Sequence, residues 1–406
     1  MSLVGMSVLL GLAYAFSKNR KAIYWRTVIG AFLLQFGLGA FVLKVSWGQS
    51  LLASMTNGVN QLLSYGDAGI SFLFGGLVSE SVGFSFALKV LPIIVFFAAF
   101  IAVLYHIGIM KWIIRIIGGS LQKVLGTSRA ESMSATANIF VGQTEAPLVV
   151  KPFIATMTQS ELFAVMVGGL ASVAGSALAG YALIGVPVEY LIAACFMSAP
   201  GGLLFAKMLM PETEVPDAEL PVVSEEDAPV NVIDAAANGA SSGLYLALNV
   251  GAMLLAFVAL IAVVNGLLGG VGEWFGMPEL TLERLLGWLF SPLAFLLGVP
   301  WAEAVTAGSF IGQKLVVNEF VAYLNFAPYL ADGAEVILSP KTRAIVSFSL
   351  CGFANLSSIA ILLGGLGGMA PSRRKDIARM GLLAVMAGTM SNLMSGTIAG
   401  FFVAMT

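Results

Sequence analysis

Charge is what this sequence has least of. Of 406 residues, 20 are Lys or Arg and 22 are Asp or Glu, 10% in all, where a soluble domain carries about 25%. Hydrophobic residues make up 58% and the mean hydropathy is +0.94. That shortage of charge excludes a soluble fold and leaves an all-α polytopic membrane protein. A net charge of −2 argues against a nucleic-acid partner. Histidine occurs once, at His106, and no nucleophile–base pair or metal-ligand cluster stands out in the sequence. His106 reads as a span-end residue rather than a proton relay. The two cysteines, Cys195 and Cys351, lie inside apolar runs and read as core thiols, neither disulfide-bonded nor metal-binding.

The apolar residues come in long runs. A span needs about 20 of them. Leu3–Phe16 lacks the flanks of a signal peptide and reads as a short first span. Ile23–Val45, Phe84–Tyr105, Leu162–Ile184, Val188–Met210, Ser242–Leu268, Ile345–Gly367 and Ile377–Met405 read as seven more. Trp47–Leu63 alternates an apolar face (Leu51, Leu52, Met55, Val59, Leu62, Leu63) with a polar one (Ser54, Asn57, Asn60, Gln61), the pattern of an interfacial helix. Thr281–Leu297 reads the same way, with Trp288 at headgroup level. Between Glu212 and Asp234 prolines and acids, among them Glu225, Glu226 and Asp227, mark a solvated linker. The basic loops Lys18–Arg26 and Arg373–Lys375 are expected inside, which places both termini outside; Lys341 and Arg343 count against that topology.

Two segments are apolar on either side of a polar centre, with each side too short to span. Ala130–Thr158 is built around Gly142-Gln143-Thr144-Glu145-Ala146-Pro147, and Trp301–Pro328 around Gly312-Gln313-Lys314 and Asn318-Glu319. Both read as re-entrant hairpins. Each is followed by an interrupted span, broken within Gly168–Ser176 and within Gly352–Ser358. Phe140-Val141-Gly142-Gln143 matches Phe310-Ile311-Gly312-Gln313, and Gly169-Leu170-Ala171-Ser172 matches Gly352-Phe353-Ala354-Asn355. Two matches in register point to an internal repeat, and the predicted topology makes it an inverted one, the pattern of secondary transporters.

Broken helices free backbone groups near the bilayer midplane. Around them lie the amides Asn138, Gln143, Asn318 and Asn355, the hydroxyls of Thr144, Ser172, Ser176, Ser357 and Ser358, and the carboxylates Glu145 and Glu319. Phe353 adds a flat apolar face. Amides offer a donor and an acceptor together and carboxylates accept strongly from hydroxyls, which suits a neutral, hydroxylated solute with a planar ring. Lys314 is the one cation expected at a tip. Ser176 and Ser357 read as interhelical glue. A channel for small polar solutes and a membrane enzyme with Glu145 and Glu319 as an acid/base pair remain alternatives at this level.

Three motifs taken together resemble the concentrative nucleoside transporter family, in its short bacterial eight-span form. They are Gly142-Gln143-Thr144-Glu145-Ala146-Pro147, Asn318-Glu319-Phe320 and Gly352-Phe353-Ala354-Asn355-Leu356-Ser357-Ser358. The resemblance implies a cation-coupled nucleoside importer of the bacterial cytoplasmic membrane, a homotrimer and not an enzyme. It implies that Gln143, Thr144 and Glu145 face the base with Phe353 nearby, and that Glu319, Asn355 and Ser358 hold the ribose. It implies a sodium site at the side chains of Asn138 and Ser172 and the carbonyls of Val141 and Val173, with no cofactor beyond that coupling ion; proton coupling is the alternative. The expected divisions are scaffold at 1–127, first repeat at 128–210, cytoplasmic linker at 211–240, scaffold span and external interfacial helix at 241–300, and second repeat at 301–406.

Overall fold

A computed structural model describes residues 1–79, 83–216, 229–274, 276–331 and 336–405, and the regular structure among them is helical. The acids at 225–227 of the expected linker, and residues 332–335 of the connection before Pro340, lie outside the described residues. In chain order come α1 (Ser2–Ala15), α2 (Trp25–Lys44), α3 (Ser46–Phe74), α4 (Phe86–His106), α5 (Ile109–Leu125), α6 (Arg129–Ala137), a 3-10 helix (Ala146–Phe153), α7 (Gln159–Ala171), α8 (Gly175–Leu183) and α9 (Val188–Leu209). Then follow α10 (Val232–Trp274), α11 (Leu282–Leu297), α12 (Trp301–Val316), α13 (Glu319–Phe326), α14 (Pro340–Leu350), α15 (Ser358–Met369) and α16 (Arg374–Val403).

Among the described residues, six stretches are long and apolar enough to cross a membrane: α2, α4, α7 with α8, α9, α10 and α16. The other two expected spans are shorter pieces. α1 has 14 residues, about 21 Å at 1.5 Å per residue. α14 and α15 have 11 and 12 residues on either side of a break. Two helices outrun their expected ends. α3 continues past Leu63 to Phe74, burying Leu52, Leu63, Gly66 and Ile70 while Ser54, Asn57, Asn60 and Gln61 stay exposed; Leu51 falls off the buried face. α10 has 43 residues, about 65 Å, roughly twice the hydrocarbon thickness.

Lys111, Arg115 and Lys123 lie on a helix, α5, to which the sequence reading assigned no element. In α5, Met110, Ile114, Gly118, Leu121 and Leu125 form the buried face. α5 precedes the first hairpin segment as α11 precedes the second. Both end on a glycine in the left-handed region, Gly126 at φ +70° and Gly298 at φ +111°, a conformation that strains any residue with a Cβ. A helix that ends on such a glycine thus precedes each hairpin segment. The later parts of the repeat correspond as well. Thr158 caps α7 by accepting from Glu161 N, and Ser339 caps α14 by accepting from Thr342 N. An acid near the start of each hairpin segment anchors the base of the following helix. Glu131 pairs with Lys207, which also donates to Ser160 Oγ at 2.8 Å. Glu303 accepts from Ser339 N and Oγ at 3.1 and 2.8 Å.

α7 and α9 are buried nearly all round and, with α16, form the centre of the molecule. α1 and α2 pack on α16 and α9, while α4 and α10 pack along each other, with α8 against α4. The two broken spans meet at their breaks, where Phe353 N donates to Ser172 O at 3.1 Å. Asn392 of α16 completes the junction. Its Nδ2 donates to Ala171 O at 2.6 Å and to Cys351 O at 2.9 Å, the carbonyls freed where α7 and α14 stop. Its Oδ1 accepts from Lys314 Nζ at 2.7 Å, and Lys314 also donates to Ser349 O at 2.7 Å. Lys314, expected as a tip cation, is thus a buried tether between α12, α14 and α16.

Candidate functional site

α6, the turn at 138–145 and the 3-10 helix pack on one another as an arm, a tip and a second arm. α12 and α13 do the same across the break at Val317 and Asn318. Both are consistent with the expected hairpins. The second tip sits later than the tetrapeptide match placed it. Phe140–Gln143 lies in the turn, whereas Phe310–Gln313 is still helical within α12. Gln313 bridges the two arms, donating to Ser309 Oγ and accepting from Asn325 Nδ2. Asn318 likewise serves the backbone, capping α13 by accepting from Val321 N at 2.9 Å.

The first tip is pressed against α7. A Cβ at Gly169 would stand 2.7 Å from Gln143 Cβ, and one at Gly168 would stand 3.0 Å from Asn138 Nδ2. These glycines, read from sequence as part of the interruption, are helical; they admit the tip, and the break itself falls at Ser172–Ala174.

All seven residues expected to hold the solute line one cleft with about 140 Å³ of water-accessible space: Gln143, Thr144, Glu145, Glu319, Phe353, Asn355 and Ser358. Glu319 starts α13 and is buried. Tyr181 of α8 donates its hydroxyl to Glu319 Oε1 at 3.0 Å, and Asn355 Nδ2 donates to Glu319 Oε2 at 3.1 Å. Asn355 Oδ1 in turn accepts from Ser358 N at 2.9 Å and Ser357 Oγ at 2.7 Å, which fixes the amide and folds the start of α15 around it. Gln143 Nε2 reaches Ser358 Oγ at 3.5 Å, joining the first tip to the second break. Gln143 Oε1 and Glu145 Oε2 are buried with no protein donor. These two tip acceptors keep lone pairs to spare, which suits a solute that brings N–H or O–H groups.

The four residues expected to hold a cation, Asn138, Val141, Ser172 and Val173, are all buried. The tip and the break they belong to are joined by Gly175 N, which donates to Phe140 O at 3.0 Å. Asn138 Nδ2 is used by Ser134 O at 2.9 Å while Asn138 Oδ1 has no donor. Ser172 Oγ gives its proton to Gly168 O at 3.1 Å, which leaves its lone pairs free. Neutral oxygens with spare lone pairs and no net charge suit a hard monovalent cation.

Two contributors escaped the sequence reading. Tyr181 is fully buried, and its ring packs on Phe320 and Tyr323 at centroid distances of 4.5 and 4.7 Å. In sequence it is one more aromatic in an apolar run. The other is the stripe Leu246, Asn249, Val250, Met253 and Leu254 of α10, which also lines the cleft. Its signal was a lone amide in a long apolar run.

Comparison with known proteins bears on the whole chain. Residues 4–77 match the family model described as Na+ dependent nucleoside transporter N-terminus, 190–400 the corresponding C-terminus, and 87–187 the model described as nucleoside recognition. An uncharacterized transporter of Haemophilus influenzae is 60% identical, covering 99% of this chain and 97% of that one. The nucleoside permease NupC of Helicobacter pylori is 54% identical over 99% of this chain and 97% of its own. The solved structure of CNTnw in an inward-facing substrate-bound state superposes with a TM-score of 0.96 at 61% identity, covering 100% of this chain and 98% of that one. The chain is a member of the Na+-dependent nucleoside transporter family, a family of integral membrane transporters and not of enzymes.

Proposed function

We propose that this protein imports nucleosides across the bacterial cytoplasmic membrane, driven by the inward sodium gradient. The observation that carries the reading is the single cleft in which both tips and the second break converge. On this reading Gln143, Thr144 and Glu145 read the base edge. Gln143 Oε1 and Glu145 Oε2 are the acceptors that a base or a base-bound water satisfies. Phe353 packs against the planar ring. Glu319, held from both sides, accepts from the ribose hydroxyls together with Asn355 and Ser358. A carboxylate acceptor makes these the stronger bonds.

Sodium is bound by Asn138 Oδ1, Ser172 Oγ and the carbonyls of Val141 and Val173. Its chemistry is to neutralise nothing and to order the first tip against the first break. The repeats 128–210 and 301–406 carry the solute as one body past the scaffold of 1–127 and 241–300, an elevator-like movement, with 211–240 as the cytoplasmic linker. Three copies assemble through the scaffold, and both termini face outward.

Uptake of labelled uridine into proteoliposomes tests the reading. An inward sodium gradient is expected to drive accumulation above the external concentration. Accumulation driven by a proton gradient alone would move the coupling to protons. Equilibration without accumulation under every gradient would make the protein a channel.

A further inference from the structure

From Leu246 to Val264 of α10, Asn249 is the only side chain that carries a nitrogen or an oxygen. An amide left unpaired in hydrocarbon is costly. The same helix shows how that cost is normally met: Asn265 donates to Glu283 Oε2 at 2.9 Å and accepts from Leu282 N at 2.7 Å. Asn249 has no such partner among the described residues. Its direction is set by the stripe it belongs to. Leu246, Asn249, Val250, Met253 and Leu254 follow three- and four-residue spacing, and all five face the cleft. Leu254 is buried and Leu246 and Val250 are half-buried, while Asn249 and Met253 are exposed, as are Leu248 and Leu255 off the stripe.

We propose that Asn249 is a solute-contacting residue, a polar anchor that α10 adds to the groups of the two tips. The inference rests on the nucleoside reading above. A solute whose donors face Gln143 Oε1 and Glu145 Oε2 turns other polar groups toward α10. Four of the five side chains waiting there are apolar and offer no bond, and the Asn249 amide can both donate and accept. Because α10 belongs to the scaffold on that reading, the contact is made in only part of the cycle. It selects solutes at the point where the cleft faces α10 and is broken as they move away.

The test is sodium-driven uptake of uridine and adenosine by the full-length protein in proteoliposomes, wild type against Asn249→Val and Asn249→Gln. Asn249→Val is expected to raise KM at least fivefold for both nucleosides, with an unfolding temperature at or above wild type, because valine suits hydrocarbon better than an amide. Asn249→Gln keeps the amide and is expected within about twofold of wild type. Asn249→Val within twofold of wild type in KM and maximal rate would overturn the inference, as would a fall in unfolding temperature with KM unchanged, the mark of a structural amide. Wild-type protein that moves no nucleoside under any gradient overturns the nucleoside reading and this inference with it. Wild-type uptake with an unaffected valine variant overturns this inference alone.

Discussion

Glu319 keeps little freedom of its own. One carboxylate oxygen takes the Tyr181 hydroxyl and the other the Asn355 amide. What remains for a solute is a fixed acceptor whose orientation was decided before binding, so little ordering is left to be done on arrival. The hydroxyl of Tyr181 is therefore a positioning group. Tyr181→Phe keeps the ring and its packing on Phe320 and Tyr323 and removes only the bond. It is expected to raise KM about tenfold for ribonucleosides, about 1.4 kcal/mol, within the range of a hydrogen bond to a charged group. The KM of a 2′,3′-dideoxynucleoside should change much less, since that solute makes no ribose bond to weaken. Competition of both against labelled uridine measures the difference. The residues around this carboxylate were legible because polar side chains are rare in an apolar chain, and each was conspicuous. Tyr181 was not, because a tyrosine satisfies an apolar pattern with its ring and its hydroxyl leaves no trace in the spacing. Lys314 was conspicuous for the opposite reason, yet it serves the framework, reaching Ser349 O and Asn392 Oδ1.

At the scale of elements, the breaks in α7–α8 and α14–α15 are stable because α16 answers for them. One amide, Asn392, meets the carbonyl end of each broken helix, where an unpartnered carbonyl in a water-free interior would be costly. Asn392→Leu removes both bonds and one of the two acceptors of Lys314. It is expected to cost about 2–4 kcal/mol, from the penalty of about 1–3 kcal/mol per buried group left unpaired. Thermal unfolding in detergent checks it, and a variant as stable as wild type would show that water replaces the amide. The glycine at Gly352 belongs to the same arrangement, since a Cβ there would run into the Asn392 amide. Element boundaries were readable where composition changes abruptly, as at the two breaks. They were not readable in α3 and α10, whose ends run on through Gly, Ser, Asp and Asn, residue types that usually cap or interrupt a helix. α5 went unassigned because its three basic residues, Lys111, Arg115 and Lys123, dominate the eye, while its buried face is spaced as a helix face should be.

For the molecule as a whole, the long helices α4 and α10 lie along each other, and the short helix α8 also packs against α4. On the proposed movement the first contact is permanent and the second must be broken every cycle. A Cβ at Gly180 of α8 would stand 3.1 Å from Val90 Cγ1 of α4, and one at Gly251 of α10 would stand 2.9 Å from Leu91 Cδ1 of α4. Each glycine lies against the side chain of its α4 partner, so a cysteine pair at either position, once oxidised, would tie the two helices together. In a background without Cys195 and Cys351, oxidising the pair made by Val90→Cys and Gly180→Cys is expected to cut uptake at least tenfold, and a reductant should restore it. The pair made by Leu91→Cys and Gly251→Cys should transport whether oxidised or reduced. Equal uptake by both oxidised pairs would rule out relative motion between α4 and α8. This grouping of helices could not be read from the chain, where α4 and α8 are both simply apolar. It follows from which faces meet.

Ser172 stands where the two proposed sites touch. On the proposed reading its hydroxyl oxygen is offered to the cation and Phe353 stands beside the solute ring, and its carbonyl holds the N–H of Phe353. One residue thus belongs to both binding equilibria. Linkage then requires reciprocity: whatever factor sodium adds to nucleoside affinity, the nucleoside must add to sodium affinity. Such an exchange needs no long route through the protein, only the width of a single peptide unit.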